Sequence, residues 1–159
     1  MKNKLINKDE IEKYIEENYY DEINLSSRII IDKCVCLNAC QGINLEVNEL
    51  TFQEYLFKKI DEKDIKDSML YKSILLTKQT FSKIRSDKFY HPDKDTAVKF
   101  CIGLKLNMDE TEELLEKAGY ILSYSIKRDL VFRYFFENEI YDIQAINEIL
   151  YELDMKLLM

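Results

Sequence analysis

Glycine and proline are scarce in this chain, with only three glycines and one proline among 159 residues. Tight β-turns and glycine-rich phosphate-binding loops both depend on glycine, so the composition argues against a turn-rich β fold and against such a loop. Apolar residues recur instead at helical spacing along most of the chain. We therefore predict an all-α fold in a chain that is long enough for one domain with its own core.

Long apolar runs are absent as well. No stretch approaches the ~20 consecutive apolar residues that a membrane-spanning helix requires. The segment that starts with Met1 to Lys4 has neither the apolar stretch nor the small-residue cleavage site of a secretory signal. We therefore expect a cytoplasmic protein without a membrane partner.

Histidine and cysteine are too few for an obvious metal site. Cys34, Cys36 and Cys40 lie close together, but zinc sites usually pair two short clusters. Only Cys101 and the single His91 remain to complete such a site. Because a reducing cytosol keeps cysteines as thiols, we interpret them as buried free thiols and predict no metal ion.

The chain also lacks the residue pattern of a catalytic centre. Acid–base or nucleophilic catalysis needs a base, a nucleophile and a stabilising dipole held together, and no nucleophile motif accompanies the one histidine. His91 stands beside Pro92, as in a surface turn, and carboxylate pairs such as Asp109–Glu110 are typical of helix ends. We expect a protein that is not an enzyme, with no catalytic residues and no cofactor.

What the chain does contain is a basic middle segment between two acidic flanks. Residues 66–105 hold nine Lys and Arg against four acids, whereas the parts before and after hold nine against fourteen and five against twelve. The three parts therefore carry charges of −5, +5 and −7 within a net charge of −7. Such segregation concerns partners rather than fold, and a local positive surface on an acidic protein can still meet a polyanion.

The N-terminal part shows two helix starts. Asn7 to Glu10 is typical of the beginning of a helix, with a carboxylate placed to return to the cap. Ser26–Ser27 can cap a second segment that ends near Gly42. The β-branched residues of positions 28–37 would also suit a strand.

From Thr51 onward the capping signals are sharper. Thr51 and Glu54 have the spacing of a capping box, which predicts a helix over about residues 52–63. Asp67 and Thr77 can each cap a short helix, and the two helices would meet at a tight turn.

Further helices follow at similar intervals. Asp93 or Asp95 can begin the next one, Asn107 and Glu110 repeat the capping box, and Gly119 is well placed as a left-handed terminator. Apolar residues then indicate a sixth and a seventh helix: Ile126, Leu130, Phe132, Tyr134 and Phe135, and after them Ile143, Ile146, Ile149, Leu150 and Leu153.

Two stretches of this pattern resemble a known family, the lambda-repressor-like, Xre-type helix-turn-helix regulators of bacteria and phages. Residues 95–98 followed by 103–110 resemble the fourth helix of that family running into its fifth. In residues 67–86, four side chains fall at the family's apolar positions: Leu70, Leu76, Phe81 and Ile84. The resemblance covers about residues 51–123.

The resemblance implies a domain organisation. Residues 51–123 would form a five-helix helix-turn-helix core, preceded by an N-terminal helical arm in residues 1–50 and followed by a C-terminal helical pair in residues 124–159. Tyr71 and Leu75 stand where the family usually has a small residue and a glycine. Because glycine accepts a positive φ without strain, we expect a wider or differently bent turn here.

The family resemblance also implies a DNA-binding transcriptional regulator whose recognition helix spans about residues 78–86. The N-terminal part of such a helix points at base edges, while outlying bases contact the phosphate backbone. Gln79 could bond adenine, and Lys78 and Lys83 could bond guanine or neutralise phosphate. The expected DNA-binding residues are Thr77, Lys78, Gln79, Ser82, Lys83, Arg85, Lys88 and Lys94.

An acidic protein is the alternative partner for the same basic segment. Complementary charge steers protein association as it steers DNA binding, and the acidic flanks of a second copy would also qualify. In that case the protein is an interaction adaptor that uses a divergent helix-turn-helix fold without binding DNA. Duplex DNA requires in addition that the fold turns both acidic flanks away from the basic segment.

The C-terminal pair carries more large apolar side chains than a small helix-turn-helix core could bury. These side chains either enlarge that core or form a subunit interface. Because regulators of this type generally read two half-sites as dimers, we predict a homodimer through about residues 124–159. The candidate contacts are Phe132, Phe135, Phe136, Ile146 and Leu150.

Overall fold

The computed structural model describes residues 7–20 and 50–158. Those residues form eight α-helices and no strand, which confirms the all-α prediction for this part of the chain. The predicted segment between Ser26 and Gly42 lies outside the described residues. The helices are α1 (Lys8–Asn18), α2 (Phe52–Glu62), α3 (Asp67–Ser73), α4 (Lys78–Ser86), α5 (Lys94–Gly103), α6 (Met108–Lys117), α7 (Lys127–Glu137) and α8 (Ile143–Glu152).

Both predicted capping boxes form. The Thr51 hydroxyl accepts a hydrogen bond from the Glu54 amide at 3.3 Å, and the Glu54 carboxylate accepts one from the Thr51 amide at 2.9 Å. Asn107 and Glu110 make the same reciprocal pair at the start of α6, with distances of 2.9 and 3.3 Å. Each pair satisfies two backbone amides that a helix start leaves without partners, so these helices begin where the sequence predicts.

The aspartates at two other helix starts behave differently. Asp67 is the first residue of α3 and not its cap, so that prediction was wrong; the cap position is Lys66, whose side chain makes no capping bond. Asp93 holds the cap position of α5 but its side chain also makes no capping bond. Asp67 and Asp95 lie inside the first turns, where a carboxylate still interacts favourably with the helix dipole.

Six helices end in the same way. After each of α2, α3, α5, α6, α7 and α8 comes one residue with positive φ, and the next residue donates its amide hydrogen to a carbonyl five positions back. The left-handed residues are Asp64, Leu75, Lys105, Gly119, Glu139 and Asp154. The residues that follow them are all apolar or aromatic: Ile65, Leu76, Leu106, Tyr120, Ile140 and Met155. Only Gly119 is the glycine terminator that the sequence predicts.

The α3–α4 and α5–α6 connections are alike in length and order. Each has four residues between the helices, of which the second is left-handed and the third is a leucine. Leu75 has a φ of 55°, the left-handed conformation that glycine adopts without strain, and the wider or differently bent turn stays a prediction. The ring of Tyr71 packs against Phe81 across the two helices, with 5.8 Å between centroids.

Leu75→Gly is expected to raise the free energy of unfolding by about 0.5–1 kcal/mol, because it removes left-handed strain of about 1–2 kcal/mol but adds entropy to the unfolded chain. Little packing is lost, since the Leu75 side chain is 67% exposed. Urea unfolding followed by circular dichroism measures the change. The control is Lys58→Gly inside α2, which should lower stability by about 0.5–1 kcal/mol. A loss of stability in Leu75→Gly would contradict strain at this turn.

Helix α5 is the centre of the core. Seven of its ten residues are buried, and it packs against both α3 and α6. Gly103 at its end allows a close approach, since a Cβ atom there would lie 2.3 Å from Cγ2 of Ile74 and 2.8 Å from Cδ1 of Leu70. The absence of a side chain at Gly103 thus positions α3, and with it the turn into α4.

The C-terminal pair enlarges this core. All residues from 129 to 136 in α7 are buried, and α7 packs against α1, α6 and α8. The candidate dimer contacts are at most 2% exposed within the single chain: Phe132, Phe135, Phe136, Ile146 and Leu150. Their burial within the single chain fits enlargement of the core, the first of the two predicted roles. The homodimer stays a prediction, and a second copy would have to meet other residues of this chain.

Candidate nucleic-acid interface

One side of α4 is packed and the other is free for a partner. Phe81 and Ile84 are buried beneath the helix, which fixes its rotation about its own axis. The opposite side is exposed, and we call it the α4 face: Thr77, Lys78, Gln79, Ser82 and Lys83. The structure thus brings five of the eight predicted DNA-binding residues together on one exposed surface.

Two members of the α4 face have contacts within the chain. The Thr77 hydroxyl accepts a hydrogen bond from the Thr80 amide at 3.1 Å and lies 2.8 Å from the Thr80 hydroxyl, so it is engaged in capping. The Lys83 ammonium lies 5.8 Å from the centre of the Tyr90 ring. Neither contact neutralises charge, so the lysines of the α4 face keep their full positive charge toward solvent.

Arg85 and Lys88 are matched by carboxylates. The Arg85 guanidinium lies 2.8 Å from Asp67 and 4.7 Å from the centre of the Phe57 ring. Lys88 lies 2.8 Å from Glu54, and its hydrogen bond lowers the pKa of that carboxyl below the ordinary value. Both bases remain about half exposed, but each presents a neutral pair rather than a free cation to a phosphate.

Two more bases of the middle segment face inward. The Lys94 ammonium lies 2.5 Å from a carboxylate oxygen of Asp129, which also accepts the Ser123 amide at 2.9 Å. Lys99 is buried in α5, and burial lowers its pKa although Asp93 and Asp95 oppose the shift. Lys94 is therefore bound into the chain at a place away from the α4 face.

The remaining bases of the middle segment are exposed. Within residues 7–20 and 50–158 none of them has an ion pair. Four of them lie directly before α3, on α3 or on α4, and the fifth lies in the α5–α6 turn: Lys66, Lys72, Lys78, Lys83 and Lys105. Among the described residues, most of the bases of the middle segment that have no ion pair thus lie on or next to α3 and α4.

The acidic helices α1 and α6 pack mainly against helices other than α4. Helix α1 packs mainly against α7, while α6 packs against α2, α5 and α7. Part of the α6 charge is also compensated, because Lys59 lies 2.9 Å from Glu110 and holds the pKa of that carboxyl below its ordinary value. In the described α4–α5 loop, which follows the α4 face, Asp87 and Asp93 are exposed carboxylates.

A partly buried charge cluster joins the start of α5 to the C-terminal pair, and sequence reasoning missed it. Arg128 lies 2.6 Å from Asp95 and donates to the Lys156 carbonyl at 2.8 Å, while the Lys156 ammonium lies 3.1 Å from Asp95. Burial raises the pKa of Asp95, but the bonds from Arg128 and Lys156 outweigh it and hold the pKa below the ordinary value. These partners are at least 28 residues apart, so no local pattern signals them.

The described residues contain no group of three or more His, Cys, Asp and Glu that could hold a metal ion. Cys101 is buried, and burial raises the pKa of its thiol. Cys34, Cys36 and Cys40 lie outside the described residues. His91 is exposed in the α4–α5 loop, where its ring packs edge-on against Tyr120.

A cleft of about 230 Å³ opens beside the α3–α4 turn. Its apolar walls include Ile74, Leu75 and Ile143, and its polar rim includes Lys105 and Gln144. The cleft therefore borders the α3–α4 turn on one side and the start of α8 on the other.

Among the described helices, none is long and apolar enough to cross a membrane.

The described residues define the class of protein: it is all-α, and two of its short helices, α3 and α4, are joined by a four-residue turn and present an exposed cationic face. No protein-family model, curated protein or solved structure matches this chain. Its function is therefore argued from its own residues.

Proposed function

We propose that this chain is a non-enzymatic regulatory protein that binds duplex DNA through the α4 face. The observation that carries the proposal is the exposure of Lys78, Gln79, Ser82 and Lys83 on one side of a helix whose other side is packed. In this proposal α2 to α6 form a lambda-repressor-like core, α3 and α4 form its helix-turn-helix, and α4 is the recognition helix.

The chemistry of the α4 face suits a duplex. The N-terminus of a helix carries partial positive charge, and no acid occupies the first turn of α4 to offset it. Lys78 and Lys83 add two full charges, which can neutralise phosphates or bond guanine. Gln79 offers both a donor and an acceptor, the pair that reads adenine in the major groove.

Ion pairs within the chain reduce the number of bases that we expect to contact the DNA phosphates. Arg85, Lys88 and Lys94 each lie within 2.8 Å of a carboxylate oxygen, so we assign them little of the phosphate attraction. Lys66 and Lys72, exposed near α4, are the more suitable backbone contacts. A DNA complex would then depend on about four lysines, which predicts a marked dependence of affinity on salt.

The test is a binding titration with a labelled duplex of mixed sequence at several salt concentrations. Lys78→Glu/Lys83→Glu is expected to weaken binding at least about tenfold and to flatten the log–log salt slope by about two, one for each lost phosphate contact. Both side chains are exposed, so the fold should survive the change.

The matched control is Lys8→Glu/Lys13→Glu on α1, which makes the same change of net charge on another helix. It should leave affinity and slope nearly unchanged. Equal weakening by the two variants would mean that binding follows net charge and not the α4 face. Wild-type protein that does not bind the duplex at low salt would refute the proposal outright.

A protein partner is the second candidate, and a specific observation favours it. Met69 and Leu75 are large apolar side chains that lie mostly exposed on the helix-turn-helix unit, and Leu75 also borders the cleft. Apolar groups flanked by Lys72 and Lys105 would suit an acidic protein surface with an apolar centre. The chain would then be an adaptor, and the duplex titration separates it from the DNA proposal.

A further inference from the structure

The loop from α4 to α5 is held in place by a series of internal bonds. The Asp87 amide donates to the Lys83 carbonyl at 3.1 Å, and the Asp87 carboxylate accepts the Phe89 amide at 3.0 Å. The Tyr90 amide donates to the Asp87 carbonyl at 3.1 Å. These bonds form a tight Asx-type turn directly after the α4 face, so the loop backbone has a defined shape.

The side chains beside Phe89 are also engaged. Lys88 is paired with Glu54, the Tyr90 ring lies beneath the Lys83 ammonium, and Pro92 is buried. The Tyr120 hydroxyl donates to the Pro92 carbonyl at 3.1 Å and so holds the end of the loop. The turn is thus fixed on both sides of Phe89.

Phe89 itself is 81% exposed, the largest exposure among the large apolar side chains that the structure describes. A scattered exposed apolar residue is ordinary on a protein surface. A phenyl ring at the tip of a fixed turn is different, because little conformational entropy remains to be lost when a partner covers it. Phe89 is also only two residues beyond Asp87, whose amide donates to the carbonyl of Lys83 in the α4 face.

We propose that Phe89 is the apolar anchor of the DNA contact, packing on sugar and base surface at the rim of the groove that α4 enters. This inference rests on the proposed function. The α4 face supplies charge and hydrogen bonds but no large apolar group, and a duplex offers apolar area in its deoxyribose rings and in the thymine methyl groups of the major groove. Phe is one of the side chains that make apolar contact with the thymine methyl group.

The test compares Phe89→Ala with the wild-type protein in the same salt series. Affinity should fall about tenfold, since covering the apolar surface of a phenyl ring is worth about that factor. The log–log salt slope should stay unchanged, because no phosphate contact is removed. Phe89→Leu, which keeps an apolar group, should retain most of the affinity.

Tyr151→Ala on α8 is the matched control, because that ring is 78% exposed and lies outside the helix-turn-helix unit. It should bind as the wild type does. If wild-type protein and Phe89→Ala bind the duplex equally well, this inference fails while the proposed function stands. If the wild-type protein does not bind the duplex, the proposed function fails and takes the inference with it.

Discussion

Phe132→Ala is expected to lower the free energy of unfolding by about 3–5 kcal/mol, because it leaves a cavity in a core that cannot fully close around it. Phe132 has no exposed surface and lies in α7, with the Arg128 guanidinium 5.0 Å from the centre of its ring. Urea unfolding monitored by circular dichroism gives the change. Tyr151→Ala, which removes an exposed ring, should change stability by no more than about 0.5 kcal/mol.

The same experiment separates a core role from an interface role. If Phe132 stabilises the single chain, the loss should be the same at every protein concentration. An interface residue would instead make the unfolding midpoint rise with protein concentration in the wild type and less so in the variant. A loss below about 1 kcal/mol at all concentrations would contradict the packing of α7 described above.

Asp129→Ala should lower the free energy of unfolding by about 2–4 kcal/mol, because it leaves the Lys94 ammonium and the Ser123 amide without their partner. The Asp129 side chain is only 3% exposed, whereas that of Lys94 is 24% exposed, which limits the cost of the unpaired cation. At about 2–4 °C per kcal/mol, the thermal midpoint should fall by roughly 5–15 °C. Differential scanning calorimetry measures it.

Glu17→Ala is the control for that variant, since the Lys13–Glu17 pair lies on exposed α1 with side chains 74% and 62% exposed. An exposed pair of this kind contributes less than about 1 kcal/mol and is screened by salt. The Asp129→Ala loss should persist in high salt. Equal small losses in both variants would show that Asp129 does not fasten α5 to the C-terminal pair.

Features set by neighbouring residues could be predicted from the sequence. The capping boxes of Thr51 and Asn107 depend only on a residue three positions later, and Gly119 ends α6 as its conformational freedom indicates. Asp67 was misplaced by one residue, because capping and first-turn aspartates look alike in a sequence. The all-α class followed from the same local signals.

Features set by distant residues could not be predicted in this way. Lys94 looked like a phosphate contact, but its partner Asp129 is 35 residues further on, and the cluster of Asp95, Arg128 and Lys156 spans still more of the chain. A signal did exist for buried Lys99, since it stands among apolar residues on every side of α5 and a helix that is apolar all round is a central one.

The α4 face lies between these cases. Lys78, Gln79, Ser82 and Lys83 were grouped from the family resemblance, and the exposed and buried sides of α4 agree with that grouping and with the helical period. The neutral pairs of Arg85 with Asp67 and of Lys88 with Glu54 needed the packing of α2 and α3. Formal charge counted along the chain therefore overstates the charge that the surface offers.

The equal four-residue links after α3 and α5 make chain length itself a determinant of orientation. One residue inserted into the first turn of α4 would displace every later position of that helix by about 100° around its axis. Phe81 and Ile84 would then leave the interior, and the lysines would turn inward. We therefore expect substitutions at Leu75 or Leu76 to be tolerated better than insertions or deletions that change the spacing between the helices.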